Sequence, residues 1–163
     1  MENQRVKYWV EHLEMDNHPE GGYYKETYRS SDYITADGFE GERSVANGIY
    51  FLLFDDVFSA FHRIKSDEMW HFYEGSTLEV LYFQDGVLKT ILLGNQPEKG
   101  EVLQAVVPKN CWFGSRVKNS EGHALVGCTV APGFDFQDFE MAKAEELVKE
   151  FPKYSELIEQ MCR

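Results

Sequence analysis

From Tyr23 to about Ala131 the chain is broken by turn signals at Glu74-Gly75, Asp85-Gly86, residues 95–100, residues 108–110, residues 119–122 and Pro132-Gly133. That spacing is close to the roughly 8–12-residue beat of an antiparallel sandwich or barrel. Between the turns lie short runs rich in Val, Ile, Leu, Tyr and Phe, at residues 45–54, 77–84, 87–93 and 123–130, which read as strands. Asp85-Gly86 is the cleanest hairpin, because a type I′ turn needs positive φ at both central residues. On either side of this region the period becomes helical. Val6, Trp9, Val10 and Leu13 share one face, which predicts a helix over residues 5–15, ended by His18-Pro19 and Gly21-Gly22. Met141, Ala144, Val148 and Phe151 predict a second helix over residues 139–151, with Asp138 as its cap, and Tyr154, Leu157, Ile158 and Met161 a final short one. The order of helix, many strands, then helices predicts a mainly all-β fold, an antiparallel β-barrel over residues 23–131 with short terminal helices. At 163 residues the chain is the size of a single domain.

Composition narrows the function. Aromatic residues make up 15% of the chain, which suits strands and a lined cavity. With 28 acidic and 16 basic residues the net charge is −12, which disfavours nucleic acid and anionic membrane as partners. Cys111, Cys128 and Cys162 are odd in number and widely spaced, so reduced thiols are expected rather than a disulfide framework. No apolar stretch approaches the ~18 residues of a membrane span, and the opening MENQRVKYWVEH lacks a sustained apolar run. A cytoplasmic location is the expectation.

Two segments carry candidate chemistry. In SAFHRIKSDEMWHFYEG, His62, Glu68 and Gly75 have the spacing H-x5-E-x6-G, similar to the first cupin motif, H-x-H-x3–4-E-x6-G, with Ile64 at the second His position. Residues 108–113, PKNCWF, resemble the second cupin motif, P-x-G-x2-H, with Asn110 for Gly and Phe113 for His. Together with HPEGGYYKETYRS and PGFDFQDFEMA, these segments resemble the cupin type 5 family over residues 18–152. The resemblance implies a double-stranded β-barrel (jelly roll) and structural similarity to dTDP-4-dehydrorhamnose 3,5-epimerase and other small-molecule cupins.

Alternate strand residues point to one face, so His62 and Ile64 share a wall and Glu68 returns across the turn. A barrel of this size encloses just enough room for side chains and one small ligand. Metal-dependent cupins use three His and one Glu, and Ile64 and Phe113 stand where two of those ligands belong. No cofactor is therefore expected. A divalent metal, if present, would be held by His62 and Glu68, completed by His71 through a bulge at Met69-Trp70, or by His123.

Three functions remain open. The leading one is metal-independent recognition of a small polar or sugar-like metabolite, with epimerase-type or isomerase-type acid/base chemistry. In it His62 is the base, Glu68 its carboxylate partner and a tyrosine such as Tyr73, Tyr50 or Tyr82 the acid. His18, Glu20, Tyr24, Tyr50, Lys65, His71 and Tyr82 are the candidate ligand contacts, Lys65 and Arg63 being suited to an anionic group at the rim. The second is a metal-dependent oxygenase or isomerase, and the third a non-catalytic binding or sensor module, so whether the chain is an enzyme stays open. Each residue also has a structural reading: His62 and His71 as hydrogen-bonded interior residues, Glu68 as part of a solvated turn, and the tyrosines as sheet packing. A homodimer is expected, since the Tyr-rich N-terminal segment reads as an edge strand that must be covered or paired.

Overall fold

The computed structural model describes residues 3–163. In chain order the elements are α1 (Gln4–His12), β1 (Asp16–Asn17), β2 (Tyr23–Arg29), β3 (Tyr33–Thr35), β4 (Glu42–Ser44), β5 (Asn47–Phe54), β6 (Phe58–Arg63), β7 (Asp67–Gly75), β8 (Leu78–Gln84), β9 (Val87–Leu93), β10 (Gln104–Val107), β11 (Phe113–Val117), β12 (His123–Ala131), β13 (Glu140–Met141), α2 (Ala144–Glu150) and α3 (Ser155–Gln160). One sheet has the order β1-β2-β5-β12-β7-β10, the other β13-β6-β11-β8-β9, and β3-β4 stand apart as a small hairpin. The two sheets stack as a jelly-roll sandwich and do not close into the expected barrel. Apart from the single Leu93–Val102 bridge, no ladder joins their edges among the described residues.

Both faces of the central strands are covered, which is why a strand such as β5, NGIYFLLF, reads as a nearly continuous apolar run. Its Ile49, Phe51 and Leu53 point between the sheets, into a core shared with Trp70, Val80 and Phe113. Leu52 points outward, where with Leu125 it meets Val6 and Met15, packed round by Trp9, Val10 and Leu13. On the far side Phe61, Leu81 and Phe83 receive Leu147, Ile158 and Met161 from the C-terminal helices. Each such side chain, fully buried, contributes roughly 1.5–3 kcal/mol.

Two bulges decide which residues face the interior. On β2, Glu26 opposes Ile49 and Tyr28 opposes Gly48, leaving Thr27 as an extra residue. Alternation therefore resets, and Tyr24, Glu26 and Arg29 share the inner wall. On β7, Phe72 opposes Val126 and Glu74 opposes Leu125, so the extra residue is Tyr73. The bulge lies there and not at Met69-Trp70.

The helical ends differ in detail from expectation. α1 starts one residue early, where the Asn3 side chain accepts a hydrogen bond from the Arg5 N–H at 3.1 Å, and ends at His12. The expected helix over residues 139–151 begins only at Ala144, because Glu140 and Met141 pair with Arg63 and His62 as a strand. Asp138 is no helix cap. It is buried against Arg43, whose guanidinium requires a counter-charge once removed from water. No helix among the described residues is long and apolar enough to cross a membrane.

Candidate functional site

Between the sheets, at the end where β2, β5, β6, β7 and β12 converge, lies a half-enclosed cavity of about 320 Å³. Its floor is acid–base. Glu20 comes from the HPEGG turn before β2, His62 from β6 and Glu68 from the start of β7. Gly21 and Gly22 permit that turn, with φ of 116° and 81°, and a Cβ on Gly21 would overlap the Phe58 carbonyl oxygen.

His62 is 3% exposed and fixed at both ring nitrogens. Nε2–H donates to Glu20 Oε2 at 2.9 Å, and Nδ1–H donates to the Ala60 carbonyl oxygen at 2.7 Å. Burial opposes the imidazolium charge, but the Glu20 carboxylate, its hydrogen bond and the Ala60 carbonyl outweigh it and raise the His62 pKa. Burial likewise works against ionised Glu20, and the facing His62 overcomes it to hold the carboxyl below its ordinary range. Glu68, 9% exposed, receives the opposite treatment. Burial and then the neighbouring Glu20 charge push it up to about 7, with His62 and a hydrogen bond from the Cys128 thiol offsetting this only in part. His18 completes the floor: its Nδ1 accepts the Glu20 backbone N–H at 3.2 Å, its ring meets Tyr24 and Phe51 edge-on, and burial lowers its pKa.

The mouth is built differently. Arg29 makes a two-pronged bond to Glu26 at 2.9 and 2.8 Å, and Asn47 Oδ1 accepts the Phe134 N–H at 2.8 Å. The strap between β12 and β13 carries Phe134, Phe136 and Phe139, mutually edge-to-face at 4.9–6.0 Å. The buried pair Arg43–Asp138, at 2.8 and 2.9 Å, clamps this strap to the β3-β4 hairpin.

Of the residues singled out from sequence, His18, Glu20, Tyr24, His62 and Glu68 therefore line one cavity. The carboxylate bonded to His62 is Glu20, however, and not Glu68. Tyr73 and His71 lie an odd number of residues from Glu68 and point out of the sandwich. Tyr73 is 53% exposed beside Tyr50, which is outward for the same reason of parity, and His71 bonds Thr129. Tyr82 faces inward, but Phe113 stands between it and His62 in the ladder. Lys65 turns away to the Gly38 carbonyl at 3.1 Å, and Arg63 to Glu140. His123 sits on the outer face, bonded to Glu74 at 3.0 Å beside Arg5 and Trp9, and serves to dock α1. Sequence reasoning missed Glu26, Arg29, Asn47 and Asp135: Glu26 and Asn47 follow the parity of Tyr24 and Ile49, Arg29 is turned inward by the Thr27 bulge, and Asp135 lies on the strap.

The residues present do not fit the metal site that cupin folds often carry. Ile64 is packed in the core, the Phe113 ring lies 4.1 Å from that of His62, and both His62 nitrogens are engaged. Among the described residues no three His, Cys, Asp or Glu side chains are disposed to hold a metal ion.

Comparison with known proteins agrees with this architecture. The chain is 32% identical over 145 residues to the uncharacterized protein YML079W of Saccharomyces cerevisiae, covering 81% of this chain and 72% of that one. It matches the crystal structure of a Shewanella oneidensis protein with 38% identity and a TM-score of 0.88, over 100% of this chain and 99% of the other. A cupin 2 domain-containing protein of Halorhodospira halophila, 13% identical with a TM-score of 0.57 over 91% and 87% of the two chains, shares the fold alone. The sequence pattern of Cupin_5, described as "Cupin superfamily (DUF985)", matches residues 7–142. With inward strand parity, the H-x5-E-x6-G spacing and the match over most of its length all in agreement, the chain belongs to the Cupin_5 family of the cupin superfamily.

Proposed function

We propose that the cavity binds a small polar metabolite and moves protons on it without a metal, as an isomerase-type or epimerase-type reaction requires. The observation that supports this reading is the pairing of unlike carboxyls in one cavity. Glu20 is ionised against His62, whereas Glu68 faces the same space with no cation of its own and the Cys128 thiol as its hydrogen-bonding neighbour. Two titratable groups whose environments push them to opposite protonation states are suited to acting as base and acid. Glu20 takes a proton from the ligand, its basicity set by the shared His62 proton. Glu68 delivers its own proton to the ligand's developing oxyanion, so the total charge of the site is unchanged. His62 is thus a positioning residue for Glu20, and no tyrosine is needed as the acid.

Solvent isotope exchange tests the reading. Mixtures of polar metabolites incubated in D2O with the protein should yield at least one compound deuterated at carbon. Glu68→Gln and Glu20→Gln should each slow the exchange by roughly 10²–10⁴-fold. A metabolite that binds in the cavity without exchanging would assign the chain to ligand binding alone.

A further inference from the structure

We propose that the ligand of this cavity carries a protonated amine, held between the carboxylates of the wall and the aromatic strap. The inference rests on the reading of the cavity as a small-metabolite site and adds the ligand's charge.

The wall carries four carboxyl groups, Glu20, Glu26, Glu68 and Asp135. Against them stand one permanent cation, Arg29, and two histidines. Arg29 is already committed to Glu26 through two bonds, and His62 to Glu20. His18 accepts the Glu20 N–H at Nδ1 and its pKa is lowered by burial, so it brings no fixed positive charge to an anion. Other basic side chains of the neighbouring segments are bonded elsewhere: Lys65 to the Gly38 carbonyl, Arg43 to Asp138, Arg63 to Glu140 and Arg163 to the Phe58 carbonyl. A phosphate or carboxylate entering the cavity would meet no unpaired cation. It would lose its hydration beside Glu68 and Asp135, which have no cation bonded to them among the described residues.

Two further observations point to a cation rather than a merely neutral ligand. Glu68 is nine-tenths buried and lines the cavity with no cation bonded to it among the described residues; even while its O–H serves as the acid, its carbonyl oxygen can accept an N–H of the ligand, as can the Asp135 carboxyl on the strap. Phe134, Phe136 and Phe139 also line the cavity, and an aromatic wall offers an ammonium ion ring faces for cation–π contact, where an anion would gain nothing. Ile49, Ile64 and Val130 leave the middle of the cavity apolar, so the amine is expected on a compact carbon frame.

Cyclohexylamine, cyclohexanol and cyclohexanecarboxylate share one ring and differ in charge. Each is to be titrated to millimolar concentration into isotope-labelled protein near pH 7, with amide shifts of Ile49, Ile64 and Val130 followed by NMR. The amine should shift these signals with at least tenfold higher affinity than the alcohol, and the carboxylate should leave them unmoved. Asp135→Asn, a change on the half-buried strap, should weaken the amine several-fold and leave the alcohol unaffected. Equal or tighter binding of the alcohol or carboxylate would overturn the charge assignment while leaving a ligand cavity. No shift by any of the three would overturn the cavity reading with it.

Discussion

His62 Nε2 lies 2.9 Å from Glu20 Oε2, and its Nδ1 lies 2.7 Å from the Ala60 carbonyl oxygen. A histidine so bound has no nitrogen left to meet a ligand directly. Its effect on the cavity passes through Glu20, which reaches the site from a glycine turn outside the strands.

Removing the Glu20 charge should therefore be felt at the ring. In Glu20→Gln the His62 pKa should fall below its ordinary value, because burial, until now outweighed, becomes the larger influence. Breaking one side of a buried pair costs about 3–5 kcal/mol. Histidine-selective NMR titration and thermal melting measure the two effects. An unchanged His62 titration would show that the pair is not ionised.

The intact pair also has a pH window. Glu20, depressed in the folded state, contributes stability that is lost as pH falls through its folded value. His62, raised, contributes stability that is lost as pH rises through its own. Stability from the pair should thus be greatest between the two, and melting temperature against pH should lose that contribution on both sides in the wild type and much less so in Glu20→Gln.

Glu68 has the opposite sign. Its ordinary value is 4.5 and its folded value about 7, so between these the unfolded chain ionises while the folded one stays protonated, and folding is penalised increasingly. Glu68→Gln should stabilise the protein by up to about 3 kcal/mol above pH 7 and by little below pH 4.5. Urea denaturation at the two extremes provides the comparison, and equal effects at both would remove the assigned shift.

Gly21 adopts φ of 116°, and an added Cβ would overlap the Phe58 carbonyl oxygen. Gly21→Ala should destabilise by about 1–3 kcal/mol and displace Glu20, lowering isotope exchange more than Gly38→Ala, where the added carbon meets nothing within 4 Å. Similar losses in the two variants would separate the turn from the site.

The fold was largely legible because its signals are local. Asp85-Gly86 marks the turn between β8 and β9, and the two strands fall at Leu78–Gln84 and Val87–Leu93, nearly where the sequence puts them. His62 and Glu68 were legible for a related reason, since a two-residue period and the length of one turn set their facing. Tyr73, Tyr50 and His71 show where a residue's chemistry was given more weight than its parity. Parity alone, counted from Glu68 or from Phe51, turns all three outward. Arg29 was hidden for a different reason: counting from Tyr24 turns it outward, and only the extra Thr27 returns it. The Glu20–His62 and Arg43–Asp138 bonds link distant stretches of chain, and no local pattern announces such partners.

The clamp between Arg43 and Asp138 spans 95 residues and is 3% and 5% exposed at its two side chains. Arg43→Ala would leave Asp138 charged and unpaired indoors, and amide exchange over residues 133–141 should rise by far more than in β5 or β12. Since Arg43 also donates to the Glu40 and Glu42 carbonyls, the hairpin holds the strap as a bracket holds a shelf. The strap that carries Phe134 and Asp135 to the cavity is thereby tied down by a buried pair that is not among the lining residues, so a change in the hairpin that shifts Arg43 should alter which ligands the cavity accepts while every wall residue stays the same.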